Sequence, residues 1–165
     1  MLFSSLTKLG IIIATTVIIA DQSTKWLIIE HVMQPPRAIY INKFFNIVLT
    51  WNNGISFGLF NNNNNYANAI IISIVASLIV IFLLNWLLKA QTKRLSVALG
   101  LIIGGAIGNI VDRITHGAVI DFLDIHFNVY HWPAFNLADG SITCGAILLV
   151  VDSLFSRNAY SGRMD

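Results

Sequence analysis

A chain of 165 residues with mean hydropathy +0.72, 56% apolar and 11% charged, is too apolar for a water-soluble globular domain. Its net charge of +2, with no basic patch interleaved with aromatics, argues against nucleic-acid binding. The single cysteine, Cys144, lies in an apolar run, which excludes a disulfide framework or a paired-cysteine metal site and reads as a small packing residue.

Lys8 followed by the apolar run 9–20 has the layout of a signal peptide. Ile18, however, stands where a cleavage site needs a small residue, and more apolar segments follow, so a retained first helix is expected. The run is shorter than the roughly 20 residues a bilayer requires. The helix therefore starts near Phe3 with Lys8 reaching the interface, or continues through Asp21 to about Ile29. In a continuing helix Asp21 and Lys25 are i,i+4 neighbours with the acid first, beside an interfacial Trp26, and the plain reading is a helix-end ion pair.

Gln34-Pro35-Pro36 ends any helix. From Ile39 the pattern is β-branched and aromatic, Asn52-Asn53-Gly54 is a turn signal, and 55–60 reads as a second strand. Segment 38–60 is too polar to span, and a small sheet on the membrane surface is expected. The asparagine run 61–65 reads as a linker ending in a helix cap. Further spans are expected over about 67–88, 95–112 and 138–156, in addition to one over about 7–27. The fold class is thus an all-α polytopic membrane protein, a single domain of four transmembrane helices with a small extracytoplasmic sheet between the first two.

Lys8, Lys89, Lys93, Arg94, Arg157 and Arg163 fall in the two tails and the short turn 89–94. The two larger connections carry Lys25, Arg37, Lys43 and Arg113 over many more residues. This bias places both termini in the cytoplasm, and Asp21, Asn52, Asp112, Asp121 and Asp139 together on the outer side. In the third span Gly100, Gly104 and Gly108 recur every four residues, a stripe suited to close helix approach. Beside it Gly105, Asn109, Asp112 and Arg113 form a polar face.

Four of the eight acids, Asp112, Asp121, Asp124 and Asp139, lie between the last two spans or at their ends. A carboxylate at mid-bilayer costs about 2.5–3.5 kcal/mol, so acids in such a place need a wet or protein-lined setting. Asp112 reads first as a structural acid, neutralised by Arg113 with Asn109 one turn back. Asn136 and Asp139 are spaced like N-cap and N3 of a capping box. Asp121 taken singly is a strand-end or turn acid.

If the last two spans form a hairpin, Asp121 and Asp139 return to one interface, where two near carboxylates share a proton. One then serves as base toward water while the other donates to a peptide carbonyl. The apolar flank of Asp121 favours its protonated form and a helix N-terminus the ionised form of Asp139. On spacing alone Asp124 substitutes for either.

His116, His126 and His131 with Asp124 offer metal-ligand types, but HExxH is absent and the spacings match no helical ligand pair; GxSxG is absent too, and Ser141 reads as a first-turn residue. No metal and no cofactor is expected. A small transporter or channel subunit is the main non-enzyme alternative, yet no acid lies in the middle of a span to mark a path across. An assembly protein needs no converging carboxylates.

The stretches DQSTK (21–25), NNGISF (52–57), GGAIGNIVDR (104–113), GAVIDF (117–122) and FNLAD (135–139) resemble, in order and over nearly the whole chain, the lipoprotein signal peptidases (signal peptidase II) of bacterial inner membranes. The resemblance implies a four-helix membrane aspartic peptidase that cuts prolipoproteins just before a diacylglyceryl-modified cysteine. It implies Asp121 and Asp139 as the catalytic pair in place of Asp124, and Asp21, Asn52, Asn109, Asp112, Arg113 and Asn136 as residues that shape or support the site. The implied partners are the lipid-modified prolipoprotein and membrane lipids, with Trp51 and Phe57 as lipid or peptide contacts. One departure is Gly140, where the family commonly has serine, with Ser141 displaced by one; a looser first turn of the last helix is the expected effect.

Overall fold

The structure, a computed structural model, describes the backbone of residues 4–54 and 65–161 and the side chains of 4–54 and 66–153. The expected strand 55–60, most of the asparagine linker, the Phe57 contact and the side chains of Arg157 and Arg163 lie outside the described residues.

Helix α1 runs Ser5–Leu27 and tightens without a break into a π-helical turn, Ile28–Val32. Ser4 caps it, its hydroxyl accepting from the Thr7 amide at 3.1 Å. The two readings of this segment are thus both met: the helix starts early and also runs past Asp21. Its buried residues, Thr7, Gly10, Ala14, Val17, Asp21 and Lys25, fall three or four apart and form one stripe. Helix α2 (Asn65–Leu88) is apolar on all sides, with its exposed isoleucines, leucines and Phe82 facing outward.

Helix α3 (Lys93–His116) is the centre of the bundle, with α1, α2 and α4 (Leu137–Ser161) each packed on it. The glycines make this possible. A Cβ on Gly100 or Gly104 would sit 2.6 or 2.7 Å from a carbonyl oxygen of α1, on Gly10 and Ala14. Gly105 belongs to a different contact, because its Cβ would run into the Ala138 carbonyl of α4. Behind this seam Ala14, Val80, Leu83, Leu87, Leu99, Ile103 and Ile110 form the core. Gly117 ends α3 in the left-handed conformation at φ 75°, which turns the chain into the next strand. Among the described residues three helical segments, Ser5–Val32, Tyr66–Leu88 and Lys93–His116, are long and apolar enough to cross a membrane.

The sheet is antiparallel with order β1-β2-β3-β4. Strands β1 (Ile39–Asn42) and β2 (Phe45–Asn52) form a hairpin; Asn42 Oδ1 accepts from the Phe44 amide at 2.9 Å across its turn. Strands β3 (Val119–Phe127) and β4 (Tyr130–His131) come from the α3–α4 connection. This corrects the expectation of a sheet confined to the segment between α1 and α2. Half its strands arrive from the far end of the chain, because V-I-D-F-L-D-I-H-F completes the hairpin by long-range pairing that no local pattern announces. Ile28, Met33 and Phe122 bind the sheet to the end of α1.

Candidate active site

Each element end delivers a polar side chain to one place. Asn136, just before α4, and Asp139, three residues on, exchange two hydrogen bonds. Asn136 Oδ1 accepts from the Asp139 amide at 2.9 Å, and Asp139 Oδ2 accepts from the Asn136 amide at 3.2 Å. This is the capping box the spacing suggests, with Asp139 held at a helix N-terminus. The Asn136 amide group then turns to β3, donating to Asp121 Oδ1 at 2.8 Å and lying 3.2 Å from the Ile120 carbonyl and from Asn109 Oδ1.

Asp121 is buried, and its other oxygen accepts from Asn52 Nδ2 at 2.9 Å. Asn52 is oriented in turn because its Oδ1 accepts from the Gly54 amide at 2.8 Å in the turn that ends β2. Burial raises the Asp121 carboxyl to about 6 against the ordinary 3.8, with nearby Asp139 adding to it; the two amides and Lys25 pull only partly the other way.

Asn109 on α3 donates to Asp139 Oδ1 at 2.8 Å, and its own Oδ1 accepts from Lys25 Nζ at 3.2 Å. Lys25 Nζ also reaches Asp21 Oδ2 at 2.8 Å and Asp112 Oδ2 at 2.7 Å, so its three donors meet three acceptors. Gln22 Nε2 donates to Asp112 Oδ1 at 2.9 Å, and Asp112 Oδ2 accepts from the Ile120 amide at 3.1 Å. Asp21 Oδ1 accepts from the Ala138 amide at 3.0 Å, serving an unpaired N–H of the α4 terminus from another helix.

Two expectations change here. The ion partner of Asp112 is Lys25, not Arg113; Arg113 instead donates Nη1 to the Asn109 carbonyl at 3.3 Å, and its Nε is buried with no partner among the described residues. The pair of Asp21 and Lys25 is more than a helix-end pair, since both are buried and join α1 to α3 and α4. Lys25 and Gln22 are therefore site residues that the motif reading passed over. For Lys25 a signal was present: positions 7, 10, 14, 17, 21 and 25 share one helical face, and Gly10, Ala14 and Val17 mark that face as buried.

The acid left open on spacing is separated by the strand. Asp121 and Asp124 are three apart on β3 and point to opposite faces. Asp124 bonds Asn46 Nδ2 at 2.9 Å and His131 Nδ1 at 2.9 Å, and His131 stacks on His126 at 4.9 Å. Burial opposes ionisation of Asp124, but these hydrogen bonds and the two imidazoles outweigh it and hold the carboxyl below its ordinary value. His116 lies elsewhere, edge-on to Trp51. Among the described residues no three His, Cys, Asp or Glu side chains are grouped to hold a metal ion. Beside Asp139 an apolar groove of about 430 Å³ opens between β3, Trp132, Phe135 and the first turns of α4.

The fold and site define a membrane-helix protein with a small antiparallel sheet and two carboxylates joined by one asparagine at the bundle's mouth. The family model described as Signal peptidase (SPase) II matches residues 13–155, and the chain belongs to that family. It is 41% identical over 149 residues to a lipoprotein signal peptidase of Nitrobacter hamburgensis, covering 87% of this chain and 90% of the relative. To one of Francisella tularensis subsp. novicida it is 39% identical over 148 residues, covering 88% and 91%. Two solved chains, both described as a bacterial membrane enzyme determined by the in meso method, share the fold. The first has a TM-score of 0.75 at 32% identity, covering 90% of this chain and 88% of its own. For the second the values are 0.76, 33%, 88% and 92%.

Proposed function

We propose that this protein is a membrane aspartic endopeptidase that removes the signal peptide from prolipoproteins, cutting just before a diacylglyceryl-modified cysteine, with Asp121 and Asp139 as the catalytic pair. The observation that carries the reading is the double role of Asn136, whose amide N–H binds Asp121 while its oxygen caps Asp139. One side chain thereby fixes two carboxylates, and the raised value of Asp121, about 6, suits the proton donor of the pair.

In this mechanism Asp139 takes a proton from water as the water oxygen attacks the scissile carbonyl, and Asp121 gives its proton to the carbonyl oxygen. The tetrahedral diol collapses when Asp139 passes its proton to the cysteine nitrogen. The C–N bond breaks and a diol hydroxyl proton returns to Asp121. Asn109, Asn52 and Asn136 hold the pair. Asp21, Lys25, Asp112 and Arg113 position the elements that carry it. No cofactor takes part.

The proposed setting is the bacterial inner membrane, with α4 as a fourth span, both termini cytoplasmic, and the sheet and carboxylates at the outer face. The charge bias of the connections supports this orientation. A lipidated cysteine anchored at that interface presents its scissile bond where the carboxylates sit.

The test uses purified protein in detergent with a diacylglyceryl-modified prolipoprotein. Asp121→Asn and Asp139→Asn should each abolish cleavage while the protein still folds; full activity in either variant sinks the pair. Reporters fused after Lys93 and Asn63 should lie on opposite sides of the membrane, and a common side refutes the orientation.

A further inference from the structure

Between α2 and the end of α3, with Arg113 in its lining, lies a groove of about 550 Å³, within the roughly 300–1,000 Å³ typical of ligand sites. Tyr66, Ile70, Ile74 and Leu78 line it along one face of α2, with Ser73 and Ser77 beside them, and α3 supplies Arg113 and Ile114. Tyr66 closes one end against Gly117, where an added Cβ would lie 3.3 Å from its ring.

The length of the groove selects its occupant. From Tyr66 to Leu78 is about 18 Å at 1.5 Å per residue. The hydrocarbon core of a bilayer is about 30 Å thick, so the groove covers about one leaflet. A signal-peptide helix crosses both leaflets and does not match it; an acyl chain does.

The composition of the lining agrees. Arg113 is its one charged residue, and most of the rest is apolar. The lining holds no carboxylate, whereas the groove beside Asp139 has one in its wall. An apolar wall with one cationic side chain and no acid suits a hydrocarbon chain that ends in an acceptor group, such as a fatty-acid ester.

We propose that this groove receives an acyl chain of the substrate's diacylglyceryl-cysteine, with an ester carbonyl at Arg113; the inference rests on the peptidase reading above. The substrate's own lipid is favoured over a bulk phospholipid by continuity with the carboxylates. Arg113 bonds the carbonyl of Asn109, whose side chain holds Asp139. The glyceryl group is attached to the residue that follows the scissile bond, so its esters fall beside the pair.

The experiment compares two synthetic substrates of one peptide sequence, carrying dipalmitoyl- or dibutyryl-glyceryl cysteine, with protein in detergent micelles. Ile74→Trp and Leu78→Trp fill the groove from positions 55% and 63% exposed, outside the packed core. Ile81→Trp, also 55% exposed on α2 but outside the groove, is the control. Each groove variant should raise KM for the long-chain substrate about tenfold or more, since several methylenes lose their apolar contact, and leave KM for the short-chain substrate and kcat for both near wild type. The control should change neither. An unchanged long-chain KM in both groove variants, or an equal rise for both substrates, overturns the proposal. Stabilisation by added phospholipid that the groove variants lose, with long-chain KM intact, assigns the groove to bulk lipid and also overturns it. If the wild-type chain cleaves neither substrate, the peptidase reading itself fails, and the two failures stay distinct.

Discussion

Lys25 on α1 and Asp112 on α3 form an ion pair of 2.7 Å with both partners buried, and the same ammonium lies 2.8 Å from Asp21. One cation thus neutralises part of a two-carboxylate cluster within the helix seam. Removing one partner of a buried pair leaves an uncompensated charge and costs about 3–5 kcal/mol. Lys25→Met is therefore expected to lower stability by that order, read as thermal unfolding in detergent. Lys25→Arg should recover only part, because a planar fork does not reproduce three acceptors converging on one nitrogen. A Lys25→Met protein as stable as wild type would remove the pair from the account of the fold.

The acidity of Asp121 gives a pH prediction with a definite sign. Its value in the folded chain, about 6, exceeds the ordinary 3.8, so between these the folded state binds more protons than the unfolded. Stability from this group is therefore greatest below about pH 4, falls as pH rises, and is fully lost above about 6. Asp121→Asn should flatten that part of the stability profile. With Asp121 as the proton donor, kcat/KM should also decline as pH rises through about 6, the value for Asp121. A rate that climbs through the same region would exchange the roles of the two acids.

Asn136 separates capping from chemistry. Its oxygen caps α4 while its amide N–H reaches Asp121 at 2.8 Å. Serine retains the cap and lacks the amide; alanine loses both. Asn136→Ser should keep helix stability within about 1 kcal/mol and still lose most activity, whereas Asn136→Ala should lose activity and about 1–2 kcal/mol besides. Equal activity in wild type and Asn136→Ser would show that the bridge to Asp121 is dispensable.

Much of this site is legible in the sequence. The capping box over 136–139 follows from spacing, and the glycine stripe announced a close helix contact, which is made with α1. What could not be read was long-range. Asp121 and Asp124 differ by three positions, and only their placement on a strand sends them to opposite faces. The pairing of β2 with β3 brings Asn52 to Asp121 across 69 residues of chain. Adjacency in sequence likewise favoured Arg113 as the partner of Asp112, while a helix 87 positions earlier supplies the actual cation.

Gly140 and Gly104 are both helical glycines, and space divides them. The departure at Gly140 is open: a Cβ there meets nothing within 4 Å, and the Gly140 amide keeps its bond to the Asn136 carbonyl at 3.2 Å. The first turn of α4 is held by its contacts with Asn136 and Asp21 while the glycine stands in it. Gly140→Ser should raise stability by about 0.5 kcal/mol through helix propensity and leave kcat/KM within a few-fold of wild type. At Gly104 the same addition lands 2.7 Å from the Ala14 carbonyl and 2.8 Å from Val17 Cβ. Gly104→Leu must push α1 off α3, and with it Asp21 and Lys25 away from Asn109 and Asp112. It should lose at least about 1–3 kcal/mol and most activity together. Thermal scans and cleavage rates on the two variants, measured side by side, check the pair; a Gly104→Leu protein with wild-type stability would show that α1 does not depend on that seam.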